Sequence, residues 1–123
     1  MNELVMYAIS LADTPYRYGG TSPENGFDCS GFVGHVFKQR LGISLPRTSR
    51  ELSQVGHKIN IRQLHPGDLV FFNTQDRAYS HVGIFIGEGK FVHAPKTGSQ
   101  IRVEKMSEKY WQSRYNGARR IKG

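Results

Sequence analysis

An α+β fold, with N-terminal helices packed on a mainly antiparallel β-sheet, is the architecture this 123-residue sequence predicts. Two observations carry it. Helical periodicities fill the first part of the chain, and short β-rich runs separated by turn residues fill the second. Helices followed by strands, rather than alternating with them, favour segregated layers over a parallel sheet.

Leu4, Val5, Ala8, Ile9 and Ala12 recur at helical spacing, which predicts an amphipathic helix over residues 3–12 ended by Pro15. "GGTSPENG" (Gly19 to Gly26) is loop material. Asp28 is a good N-cap, and Phe32, Val33, Val36, Phe37 and Leu41 mark one face of the helix it starts. Gly42 suits the left-handed residue after its end. Thr48 and Glu51 have capping-box spacing and predict a short helix. "HPGD" (His65 to Asp68) reads as a turn, and "DLVFFNT", "HVGIFIG", "KFVHA" and "QIRVEKM" as strands. "SEKYWQSRY" reads as a helical turn or two, and "ARRIK" as a closing strand. Without repeats, low-complexity tracts or an internal linker, residues 1–123 are expected to form one domain.

The formal net charge is +7, from 17 basic and 10 acidic residues. That favours an anionic partner, although scattered charge is also what a plain soluble surface carries. No run approaches the ~20 apolar residues of a membrane span. The start "MNELVMYAISLADTP" lacks a basic lead, and Glu3 and Asp13 flank its apolar part. It is expected to be a helix rather than a signal peptide.

The one cysteine, Cys29, has no partner for a disulfide within the chain. If Asp28 caps the helix, Cys29 is its first residue, where free N–H groups and the helix dipole favour a thiolate. Gly31 costs about 1 kcal/mol against alanine, which makes sense if another group must approach the helix start closely. The plain alternative is a buried cysteine acting as a small hydrophobe.

A nucleophile needs a base and an orienting group. His35 lies on another face of the Cys29 helix, and His57 and His65 sit in turn-like surroundings. His81 and His93 end two strands that form the arms of one hairpin. A two-residue turn at Glu88-Gly89 puts them on opposite faces. A three-residue loop, Gly87-Glu88-Gly89, makes them diagonal neighbours on one face, and Gly89 suits its left-handed position. The three-residue loop is expected. His81 would take the thiol proton, and His93 would orient it. The Cys29 N–H and a tyrosine of "PYRYGG" are candidate oxyanion donors. The rival reading makes both histidines hydrogen-bonded sheet residues.

Six motifs in order, "PYRYGG" (15–20), "FDCSGFV" (27–33), "LPRTS" (45–49), "LHPGDLVFF" (64–72), "SHVGIFIG" (80–87) and "KFVHAP" (90–95), resemble the NlpC family of cell-wall cysteine peptidases. The ending "YWQSRYNGARRI" is similar to its envelope lipoprotein branch. The resemblance implies a compact papain-like fold. It also implies Cys29 as nucleophile, His81 as base, His93 as third polar residue and Tyr16 as oxyanion donor. Asp28 and Ser30 match positions that hold the stem peptide in some members, and Arg47 matches a recurring arginine counted with them. The implied substrate is the peptidoglycan stem peptide, cut between γ-D-glutamate and a diamino acid such as meso-diaminopimelate, with no metal or cofactor. The implied location is the bacterial envelope or periplasm. Membrane association is expected only if the full-length protein is lipidated, and an adaptor protein could supply targeting.

Three other classes compete. Cys29, His81 and His93 could ligate zinc, although no fourth ligand is evident. A basic nucleic-acid-binding module lacks an aromatic-interleaved basic stripe, so no nucleic acid is expected. An amidase, antibacterial effector or acyltransferase would keep the thiol chemistry with another acyl substrate.

Overall fold

A computed structural model describes residues 2–122. Helix α1 (Glu3–Ser10) is capped by Asn2, whose side chain accepts from the Val5 N–H at 2.8 Å. The chain leaves the helix two residues earlier than the periodicity predicts, and Leu11 to Asp13 form turns. Strands β1 (Thr21–Ser22) and β2 (Gly26–Phe27) then pair as a small hairpin that the loop reading missed. Helix α2 (Cys29–Leu41) starts at Asp28 and ends at Gly42, whose φ of 67° is left-handed, both as the sequence predicts. Of its expected apolar face, Phe32, Val33, Val36 and Phe37 are buried, while Leu41 at the last turn is 48 % exposed. The capping box of Thr48 and Glu51 forms and starts α3 (Ser49–Leu52).

Strand β3 (His57–Ile59) and a 3-10 turn (Ile61–Gln63) lead to β4 (Leu69–Phe72), β5 (His81–Gly87), β6 (Lys90–His93) and β7 (Arg102–Lys105). Helix α4 (Lys109–Gln112) and β8 (Tyr115–Arg120) follow. The strands form one sheet in the order β3-β8-β4-β5-β6-β7, antiparallel at every pairing. The last strand is therefore internal. It starts at Tyr115, ahead of "ARRIK", and inserts between β3 and β4. Charged β3 read as a turn because a short edge strand needs no apolar alternation.

Both faces of the sheet are covered. Helices α1 and α2 bury Val5, Ala8, Phe32, Val33 and Val36 against Leu69, Phe71, Val82, Ile84 and Val92. On the opposite face Trp111 of α4 packs with Val70, Phe72, Phe85, Phe91 and Ala118. The N-terminal helices pack on one face as the fold class predicts, and the short α4 covers the other. The double cover explains why β4 reads as an unbroken apolar run, since all four of its residues are buried.

The β5–β6 hairpin differs from expectation in an instructive way. Glu88 and Gly89 have φ of 52° and 70°, as a two-residue primed turn requires. The extra residue sits in the strand as a bulge between Phe85 and Gly87. Beyond the bulge Ile84 pairs with Val92 and Phe85 with Phe91, the register the three-residue loop would have produced. His81 and His93 consequently share a face.

Candidate active site

The Asp28 carboxylate accepts from the Gly31 N–H at 2.7 Å, which leaves Cys29 at the head of α2. The start of α2 abuts the start of β5. The Cys29 sulfur lies at the backbone N–H groups of Val82 and Ser30, and Val82 follows His81. Burial nevertheless outweighs those donors and pushes the thiol up to about 11. The helix start and burial thus act on the half-buried sulfur in opposite directions, the first favouring the anion and the second the thiol.

His81 and His93 are both buried, with His81 Nε2 and His93 Nδ1 2.8 Å apart. Their rings meet edge to face, with an interplanar angle of 80°. On its far side, His93 Nε2 lies 2.8 Å from Glu104 Oε2. Glu104 also accepts from Trp111 Nε1 at 3.1 Å and from Arg102 Nε at 2.9 Å. The Trp111 indole stacks on His81 and stands perpendicular to His93. Burial lowers the pKa of both imidazoles; for His81 the neighbouring His93 lowers it further, while Glu104 opposes the shift at both rings. Three of the four ring nitrogens are thus engaged in one hydrogen-bonded chain rather than free to ligate a metal.

Sequence reasoning missed Glu104 and Trp111. The alternation in "QIRVEKM" puts Arg102 and Glu104 on one face, which was the available signal. That this face meets His93 follows only from the pairing of β6 with β7.

"PYRYGG" is threaded beside the cysteine by backbone bonds. The Tyr16 N–H donates to Ser99 O, and the Arg17 N–H donates to Phe27 O. Tyr16 is half-buried; its pKa is raised by burial and then by the nearby Cys29 and Asp28, so its phenol remains a donor. Gly31 is small for the reason expected, with a specific occupant: a β-carbon there would run into the Gly20 carbonyl. Asp28, Ser30 and Arg47 are joined to one another. Arg47 donates to both Asp28 carboxylate oxygens, at 3.1 and 2.9 Å, and to Ser30 Oγ at 2.9 Å. His35 is half-buried beside Tyr7, and His57 and His65 are exposed, all away from this cluster.

Residues 13–120, which hold every residue of this cluster, match the NlpC/P60 family. The chain belongs to the NlpC/P60 family. Among curated NlpC/P60-like sequences, it is 47 % identical over 110 residues to murein DD-endopeptidase MepH of Escherichia coli, covering 87 % of this chain and 41 % of that protein. It is 42 % identical over 119 residues to γ-DL-glutamyl hydrolase of Bacillus subtilis, covering 96 % of this chain and 29 % of that protein. The chain thus spans less than half the length of either relative. A solved NlpC/P60 family protein from Bacillus cereus superposes with a TM-score of 0.89 at 32 % identity, over 96 % of this chain and 39 % of that one. The papain-like α+β fold expected from the NlpC resemblance is the fold observed.

Proposed function

We propose that this chain is a cysteine endopeptidase acting on peptidoglycan stem peptides. Cys29 is the nucleophile, His81 the general base and His93 its orienting partner. The observation that carries the reading is the 2.8 Å bond between His81 Nε2 and His93 Nδ1, at the strand end that abuts the Cys29 helix. A thiol at a helix start, next to an imidazole oriented by another group, is the arrangement acyl transfer needs.

The thiol is pushed up and His81 is pushed down, so the resting pair is neutral. The thiol proton then passes to His81 as the sulfur attacks the amide carbonyl. The Cys29 N–H and the Tyr16 hydroxyl donate to the developing oxyanion. His81 returns the proton to the leaving amine, and a water activated by His81 releases the acyl group. Neither step calls for a metal or cofactor. Asp28, Ser30 and Arg47 border the sulfur and hold the peptide on the acyl side. On the other side of the histidines lies a groove whose charged lining is balanced, with Lys96 and Arg102 against Glu104 and Glu108.

The bond proposed is the one between γ-D-glutamate and meso-diaminopimelate, and the B. subtilis relative's name describes a γ-DL-glutamyl cut. A second reading, the D,D cross-link, is favoured by the DD-endopeptidase name of the E. coli relative. Both place the protein in the bacterial envelope, with lipidation or an adaptor as means of targeting. Digestion of defined muropeptides with mass analysis decides between them. Wild type should release γ-D-glutamyl-ended products, whereas cleaved cross-linked dimers alone would establish the D,D bond. No product of either kind would reject the peptidase.

A further inference from the structure

We propose that Glu104 is a positioning residue that sets, through His93, which nitrogen of His81 is bare. The inference rests on the reading of His81 as the base. It concerns a residue two side chains removed from the sulfur.

The chain of bonds admits one arrangement of protons. An ionised carboxylate can only accept, so the proton shared by Glu104 and His93 sits on His93 Nε2. A neutral imidazole carries one N–H, so His93 Nδ1 is bare and must accept. Its partner at 2.8 Å is His81 Nε2, which is therefore the protonated nitrogen of His81. That leaves His81 Nδ1 with a free lone pair, as a base requires. A neutral donor in place of Glu104 would allow the chain to run backwards and put the proton on His81 Nδ1.

The surroundings keep Glu104 an acceptor. Its carboxyl is held well below the usual carboxylate range, first by the bond from His93 and, against the cost of burial, by those from Trp111 and Arg102. Trp111 arrives from α4 and Arg102 from Glu104's own strand β7, so a second element and a same-face neighbour hold the carboxylate in position. Lys96 and Glu108 are the other charged groups lining the groove onto which Glu104 opens. Both rings are held neutral by burial, as the single-proton count requires.

The test is the tautomeric state of the two histidines, read from long-range proton–nitrogen correlation spectra of the 15N-histidine-labelled protein at neutral pH. In wild type both rings should carry the proton on Nε2. Glu104→Leu removes the acceptor at similar volume and should populate the opposite tautomer in both rings. It should lower kcat by about 10- to 100-fold, taking as a guide the range for removing the outer hydrogen-bond partners of metal-ligating histidines, with little change in KM. It should also move the His81-governed limb of the pH–rate profile to lower pH. Glu104→Asp should restore the wild-type tautomers. A wild-type spectrum with the proton on His81 Nδ1 overturns the proposal, and so does Glu104→Leu protein that keeps both tautomers. The wild-type spectrum decides even if the leucine variant fails to fold. The expected tautomers in a protein that cleaves no muropeptide would reject the peptidase reading and leave the positioning role intact.

Discussion

Gly83 and His93 lie against each other on β5 and β6, and a β-carbon on Gly83 would come 3.1 Å from the His93 Cβ and 2.8 Å from the Phe91 ring. The glycine is required here by space rather than by backbone angle. Gly83→Ala should therefore displace the His93 side of the histidine pair. Overpacking of this kind costs about 1–3 kcal/mol. Urea denaturation should show that loss, and muropeptide cleavage should fall further than the lost folded fraction accounts for. Activity tracking the folded fraction alone would show that His93 had not moved.

Cys29→Ala should abolish cleavage and leave the fold intact, because Asp28 still caps α2 and the core beneath is unchanged. His81→Ala should lose nearly as much activity, and His93→Ala less, since the latter removes only an orienting partner. Turnover of purified peptidoglycan by the Cys29 variant at the wild-type rate would remove the cysteine from the mechanism.

The free enzyme's thiol should alkylate slowly at neutral pH. Burial pushes it up to about 11, so iodoacetamide labelling should accelerate steadily as the pH rises toward that value. Fast labelling with a flat profile through neutrality would reveal a resting thiolate and reverse the assignment of a neutral pair.

Stability should fall in acid, and the sign follows from the direction of the shifts. Burial lowers the pKa of His81 and His93, so below the unfolded value of about 6.5 the unfolded chain binds protons that the folded state refuses. Each histidine then costs up to about 1.4 kcal/mol per pH unit as the pH drops. Glu104 acts in the same direction at lower pH. Its carboxyl is depressed, so its contribution is present above the unfolded value of about 4.3 and is lost as the pH falls below it. Urea midpoints across the acid range measure this, and His93→Gln should flatten the slope just below neutrality. An unchanged slope would show that His93 titrates normally in the folded state.

Arg120→Ala should destabilise the sheet. Arg120 donates to both oxygens of Asp68, at 2.8 and 2.9 Å, and ties the end of β8 to the turn before β4. The Asp68 side chain is only 3 % exposed, so removal of the arginine leaves a nearly buried carboxylate. The expected loss is roughly 2–3 kcal/mol, toward the low side for a broken buried pair because Arg120 itself reaches solvent. A chemical denaturation midpoint equal to wild type would show that water replaces the guanidinium at no cost.

What the sequence determined by itself was local. Asp28 and the Thr48–Glu51 box cap helices through side chains bonding backbone three residues away, and Gly42 ends one through its own backbone, so short-range chemistry suffices. The shared face of His81 and His93 was legible from hairpin register, although the extra residue lies in a bulge at the strand rather than in the turn. Tertiary structure decided what depends on distant neighbours. Only the placement of β7 beside β6 brings Glu104 to His93, and only the return of α4 across the sheet stacks Trp111 on His81 and sets it edge-on to His93. The direction in which the Cys29 thiol is shifted was likewise beyond local reading. The helix start favours the thiolate, but desolvation by everything packed around the sulfur is larger, and that sum exists only once the chain has folded.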